Sequence, residues 1–204
     1  MSEFRIGDRK TLVNLIVPLF IQYPLYSTKQ FDFLRWVKAL EILEGALPYA
    51  EKDKILKELR LEKPITSPPY VSPSWEKEKP TDEWIAGFVE AEGSFYLTKR
   101  GNNIVNGFSV GQKLDRVILE FLQERFHIAA KVYTSKKGVS LLQTMDSRSL
   151  SMIRDFFWGK LKGNKKLEFA IWRRSFKLKG NRDKLLRAQD QMRNLRRNPN
   201  TAAK

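Results

Sequence analysis

Trp84–Phe95 reads WIAGFVEAEGSF, and the reading of this stretch decides the fold. Thr81 or Asp82 stands just upstream as a cap for the first free amides of a helix, and the apolar spacing predicts that helix over 83–92. Gly93 stops it, a residue suited to a left-handed exit. Gly87 and Ala91 lie one turn apart on one face, with Ala86 adjoining. Small side chains there let a second helix approach to backbone contact. Glu90 and Glu92 are two positions apart, roughly 200° around the axis, so they cannot ligate one metal ion and need separate tasks.

Downstream the pattern alternates. Phe95 to Arg100 and Ile104 to Gln112 form a hairpin around Gly101-Asn102-Asn103, and 115–126 forms a helix burying Ile118, Phe121 and Leu122. A second hairpin joins 129–134 to 139–145 around Lys137-Gly138. Helices follow at about 147–158, 164–177 and 182–195. The order α-β-β-α-β-β-α, plus extra helices, defines an α/β domain of the α+β kind over 81–195, with a basic tail at 196–204. Alternation in the strands sends Phe95 and Leu97 inward, and Tyr96, Thr98 and Arg100 outward together with Lys131, Tyr133 and Ser135.

Upstream, five of the nine prolines fall between Lys63 and Glu83, a stretch able to continue neither a helix nor a central strand. Residues 63–80 are therefore a Pro-rich linker. Before it, Ile16, Val17, Phe20 and Ile21 recur at helical spacing, followed by amphipathic runs from Lys29 to Leu43 and from Glu51 to Leu61. Sliding the sequence by 136 positions lays Phe20 on Phe156, Leu25 on Leu161, Phe33 on Phe169, Trp36 on Trp172 and Lys38 on Arg174. This register marks 1–62 as the helical remnant of a first repeat whose motif helix and strands are missing.

Charge is as uneven as structure. Residues 1–92 hold 13 basic and 15 acidic side chains, whereas 93–204 hold 25 and 8, so the whole formal charge of +15 arises after residue 92. Such a surface neutralises phosphates and releases their counterions. Solubility alone, or attraction to anionic lipid, is the alternative reading, and the aromatics interleaved with the charges weigh against it. Cysteine is absent and His127 is the only histidine, which excludes disulfides and leaves hard, oxygen-liganded metal sites. The apolar stretch from Leu12 to Leu25 is too short, and too interrupted by Asn14, Pro18 and Pro24, to span a bilayer, so no membrane partner is expected.

The motif residues Ile85, Ala86, Gly87, Phe88, Val89, Glu90, Ala91, Glu92 and Gly93 resemble the nine positions of the LAGLIDADG family of homing endonucleases and intron maturases. YPLYSTKQFDFLRWVKA resembles the helical segment that follows the sheet in the family's two-repeat members. The resemblance implies an αββαββα domain with an antiparallel saddle-shaped sheet. It further implies that Glu92 binds a divalent metal, Mg2+ where cleavage occurs, and that Gln112 supports metal or water. Ala86, Gly87 and Ala91 would pack against a second motif helix. Family members also carry a basic residue near the end of the fourth strand, where the alignment places Met145.

Nucleic acid would be held by Tyr96, Thr98, Arg100, Lys131, Tyr133, Lys136 and Lys137 around the sheet. Lys162, Lys165, Lys166, Arg173, Arg174, Arg193, Arg196 and Arg197 add a basic surface on the C-terminal helices. With no second motif present and Met145 in the basic position, the expected function is a cleavage-deficient binder of structured RNA, needing no cofactor. It would be a component of an organellar ribosome or a splicing ribonucleoprotein, with rRNA, intron RNA and ribosomal proteins as partners. The alternative is a homing endonuclease or maturase acting on double-stranded DNA, completed by a homodimer mate or another LAGLIDADG half. A protein-interaction module, the third reading, leaves the charge unexplained. The resemblance implies a mitochondrion, or alternatively a chloroplast, although Glu3 and Asp8 are unlike an acidic-poor transit peptide.

Overall fold

A computed structural model describes residues 5–63, 72 and 74–197, the side chains of 76 and 77 excepted. The chain divides into two compact units, Met1–Lys79 and Pro80–Lys204.

The second unit opens with α6 (Asp82–Glu92), numbered after α1 to α5 of the first unit. The Thr81 side chain accepts the Trp84 amide at its N-terminus. Then follow β1 (Gly93–Arg100), β2 (Asn103–Gln112), α7 (Arg116–Arg125), β3 (Tyr133–Thr134), β4 (Ser140–Thr144), α8 (Ser147–Phe156), α9 (Gly163–Ser175), a 3-10 turn (Phe176–Leu178) and α10 (Arg182–Arg197). The four strands form one antiparallel sheet in the order β1-β2-β4-β3, with Gly93 opposite Val110, Phe108 opposite Thr144 and Tyr133 opposite Leu141. One face carries Phe95, Leu97, Ile104, Phe108, Val110 and Leu142, all buried. Against it stand Phe157, Phe169 and Trp172, with the Phe95 ring 5.0 Å from Phe169 and 5.1 Å from Trp172. Each such buried apolar side chain stabilises by about 1.5–3 kcal/mol. The Trp172 indole N–H, which burial would otherwise leave unpaired, donates to the Gly107 carbonyl at 3.0 Å.

Several expectations need correction. Gly93 does not exit the helix left-handed: its backbone is extended and begins β1. A Cβ there would stand 2.5 Å from the Val89 side chain and 2.7 Å from the Val89 carbonyl, so glycine is required by close approach. The left-handed residue is instead His127, at the end of α7. Within α7 the buried residues are Ile118, Leu119 and Leu122, while Phe121 is half-buried. The third strand is two residues long where 129–134 was expected. Upstream of it, the Gln123 side chain donates to the Ala130 carbonyl at 2.8 Å. The expected tail at 196–204 is corrected too, since α10 runs through Arg197; 198–204 lie outside the described residues.

The first unit is helical. It begins with α1 (Arg9–Thr11), a π-helical turn (Leu12–Ile16) and α2 (Val17–Gln22), followed by α3 (Lys29–Glu44), α4 (Tyr49–Leu61) and the single turn α5 (Ser74–Lys77). In the π turn the Val17 amide reaches back five residues to Leu12, just before Pro18, whose ring cannot continue a regular α-helix. The unit buries Tyr26, Phe33, Leu40 and Leu59 but leaves Leu15 and Ile21 60 % and 64 % exposed. The linker is not wholly without helix, as α5 shows. Its end is tied down where the Ser72 and Ser74 hydroxyls donate to the Leu25 carbonyl and the Trp75 indole to Tyr26. Residues 64–71 and 73 of that linker lie outside the described residues. Among the described residues no helix is long and apolar enough to cross a membrane.

Candidate nucleic-acid interface

The second face of the sheet is open. Residues directly opposite one another in a sheet share a face, and the register groups Arg100, Thr98, Tyr96 and Ser94 of β1 with Asn103, Val105, Gly107, Ser109 and Gly111 of β2. Leu141 and Gln143 of β4 and Tyr133 of β3 continue the same face. Tyr96 lies over Gly107, where any Cβ would collide with its ring, and its hydroxyl accepts from the Gln143 side-chain amide. Partial burial pushes the Tyr96 phenol above its ordinary pKa, so it stays a neutral donor. Tyr133 is 63 % exposed. The face therefore carries hydroxyls, amides, an aromatic ring and a cation, the groups that read base edges and hold phosphates. Gln143 was missed, although alternation through LLQT places it outward.

The two ends of the sheet differ. Arg100 and the Gly101-Asn102 turn mark one end. At the other, α6 delivers exposed Glu92 immediately before Gly93, beside the end of β2, where Gln112 pairs with Ser140. Gln112 shares strand parity with Phe108 and Val110, so it stands on the helix side of the sheet with Glu92 and not on the open face. The turn between β3 and β4 brings exposed Lys136 and Lys137 to this same end, and exposed Lys131 precedes β3. Met145 is elsewhere. It follows Thr144, the partner of Phe108 four residues from Gln112, and lines a cavity with Ile104, Asn106 and Leu185. It therefore stands some 13 Å or more from the Gln112 end, taking about 3.3 Å per residue, and its lack of charge has no bearing on Glu92.

A basic group near Glu92 comes instead from the first turn of α9. The Lys165 amine donates to the Gly93 carbonyl at 2.7 Å, and the Lys162 backbone amide donates to the Glu90 carboxylate at 2.7 Å. Glu90 thus anchors the start of α9, a task distinct from that of Glu92. The beginning of α6 is fixed similarly, with Asp82 accepting from Lys160 at 2.7 Å and Arg125 at 3.3 Å. The Lys160 ammonium, foremost, holds the Asp82 carboxyl below its usual range.

The small-residue face is split. Ala86 is buried beneath α6, whereas Gly87 and Ala91 are exposed, and a Cβ added at Gly87 would meet nothing within 4 Å. Among the described residues beyond α6, none stands within 4 Å of a Cβ added at Gly87.

Of the helical cations, Lys162, Lys166, Arg174 and Arg197 are exposed. Arg193 is exposed and pairs with Asp190 at 3.3 Å. Two others are committed to packing. Arg196 donates to the Phe95 carbonyl at 2.6 Å and pairs with Glu168 at 3.2 Å, and Lys165 holds Gly93 as described. Gln189, on the same helix as Arg196, donates to the Leu97 carbonyl at 2.6 Å. Arg173 stacks on Trp158, its guanidinium carbon 3.5 Å from the ring centroid. The basic surface is thus smaller than composition implied. Glu92 and Gln112 offer the hard oxygen donors that Mg2+ prefers. However, no group of three or more acidic or histidine side chains gathers among the described residues. One chain does not fit a closed metal site, and no cleavage step is assigned to it alone.

The family model for LAGLIDADG endonucleases matches residues 1–40 and 85–176. A Schizosaccharomyces pombe protein named "Probable intron-encoded endonuclease Cox1-I1b" is 34% identical over 201 residues, 95% of this chain and 52% of the relative. The chain thus spans about half the length of that protein. A Saccharomyces cerevisiae protein named "Uncharacterized mitochondrial protein RF1" is 31% identical over 106 residues, 52% of this chain and 21% of the relative. Among solved structures, the LAGLIDADG homing endonuclease I-GzeII in complex with its DNA target superposes with a TM-score of 0.74 at 21% identity. That likeness of fold covers 90% of this chain and 73% of the other.

Proposed function

Because the chain belongs to the LAGLIDADG endonuclease family, we propose that it is the duplex-binding half of an intron-encoded DNA endonuclease. The open sheet face lies along a DNA groove, and Glu92 presents one carboxylate at the junction with a second LAGLIDADG half. The observation that carries this reading is the bare Gly87 and Ala91 face: Gly93 and Gly107 are demanded by contacts within the chain, and Gly87 is not. A glycine costs a helix interior about 0.5–1 kcal/mol, so a partner helix at backbone distance is what gives Gly87 a use. The DNA-bound relative in fold and the relatives' names support the same reading. The setting proposed is mitochondrial, in line with the name of the yeast relative.

The competing reading is a cleavage-deficient binder of structured RNA. Exposed cations away from the sheet, Lys166, Arg174 and Arg197, favour it. The missing motif does not, because the chain matches only about half of its S. pombe relative, and neither does Met145, which is remote from Glu92.

Selection of duplexes from a randomised library, in competition with folded RNA at about 0.15 M salt, separates the two. The expected outcome is enrichment of a discrete duplex sequence, with affinity lost in Arg100→Ala and Thr98→Ala and retained in Glu92→Gln. Retention of RNA alone, with no duplex enriched, overturns the proposal.

A further inference from the structure

The turn after α8 holds a feature that the sheet does not explain. The expected helix 147–158 ends at Phe156, leaving Trp158 outside it and 60 % exposed. Gly159, at φ 76°, turns the chain back toward α9. Between this turn and α9 lies a cavity of about 330 Å3 floored by Phe157 and Phe169, at the small end of the range for ligand pockets. Lys166, Arg173 and Arg174 line it; spaced seven and eight residues apart, they share one side of α9.

Burial drives an indole under cover. Here the ring is held at the rim instead, one face fixed by the Arg173 guanidinium and most of its surface left to solvent. An oriented aromatic ring, an apolar floor and two further cations define what fits: a flat, weakly polar ring carrying negative charge. That is a nucleotide. Within a duplex both faces of a base are covered by its neighbours, so the base that can enter is an unpaired one.

We propose that Trp158, Lys166, Arg173 and Arg174 form a binding site for one unpaired nucleotide of a single strand, its base stacking at Trp158 and its phosphates held by Lys166 and Arg174. The site belongs to the helical layer, whose Phe169 and Trp172 pack on the covered face of the sheet. It is therefore separate from the open face and stands independently of the duplex reading.

The test is a fluorescence titration of the full chain with uridylate and thymidylate pentamers at about 0.15 M salt. Expected are quenching of tryptophan emission by at least one pentamer and binding about tenfold weaker or more in Trp158→Ala. A comparable loss is expected in the double variant Lys166→Ala, Arg174→Ala. In both, affinity for a duplex of the same composition is unchanged. Preference for uridylate identifies an RNA strand as the source, and equal affinity a single strand of either kind. Pentamer binding untouched by the two variants overturns the proposal, as does a parallel loss of duplex and pentamer binding. The double variant alters only exposed ends of α9, so it decides the matter should Trp158→Ala fail to fold.

Discussion

Two helices of this molecule carry the same pair of rings and meet different fates. In α3 the Phe33 and Trp36 rings are 6.1 Å apart, and in α9, at a constant offset of 136 positions, Phe169 and Trp172 are 5.8 Å apart. Trp172 is wholly buried against a sheet and hydrogen-bonded to one of its carbonyls, whereas Trp36 is only half-buried. Two helices of like sequence thus set ring positions locally, but a strand layer is what turns those rings into a core.

The sharpest way to break this comparison is to truncate both tryptophans. Trp172→Ala should cost about 3–5 kcal/mol and Trp36→Ala no more than about 2 kcal/mol, read as midpoint shifts in urea unfolding followed by circular dichroism. Equal losses would mean that the strand layer contributes little to Trp172. Next in size is the helix-to-strand junction, which has no counterpart among the described residues of the first unit. Gly93→Ala forces a methyl onto Val89 and should lower stability by about 1–3 kcal/mol. Gly87→Ala should leave stability unchanged or raise it by up to about 1 kcal/mol while preventing assembly with a second motif helix.

The smallest effect concerns the tie between α6 and the helices beyond it. Asp82 has a depressed pKa, so its contribution is present above the unfolded value and is lost as pH falls through the folded one, below about pH 4. Because Asp82 is largely open to water, Asp82→Asn should flatten the acid limb of stability by no more than about 1 kcal/mol. An acid limb identical to that of the parent chain would show that the ties to Lys160 and Arg125 contribute nothing.

What could be read from the sequence was whatever a local period encodes. The helix expected at 83–92, the first hairpin and the alternation of Tyr96 and Thr98 against Phe95 and Leu97 all follow from residue spacing. The length of β3 did not: the apolar alternation of 129–134 continues upstream of Tyr133, and the pairing with β4 does not. Nor did the fate of the cations. Lys165 and Arg196 have the same charge as Lys166 and Arg197, and only the approach of α9 and α10 to β1 engages the first two with its carbonyls. Glu90 and Glu92 were separable by azimuth, yet the task of Glu90 depends on an amide 72 residues away. Met145 misled because its place was counted along the strand, and the ladder register puts β4 in a different position along β2.

The carbonyls of Gly93, Phe95 and Leu97 alternate along β1, and Lys165, Arg196 and Gln189 donate to them in turn. An edge strand of this length is ordinarily a template on which another chain can polymerise. Here three of its outward carbonyls are already engaged, and the opposite edge, β3, spans two residues. Strand addition along β1 would first have to displace these three donors, so the edge is blunted without a fifth strand. Three long side chains thus guard an edge that charge or proline guards in other sheets.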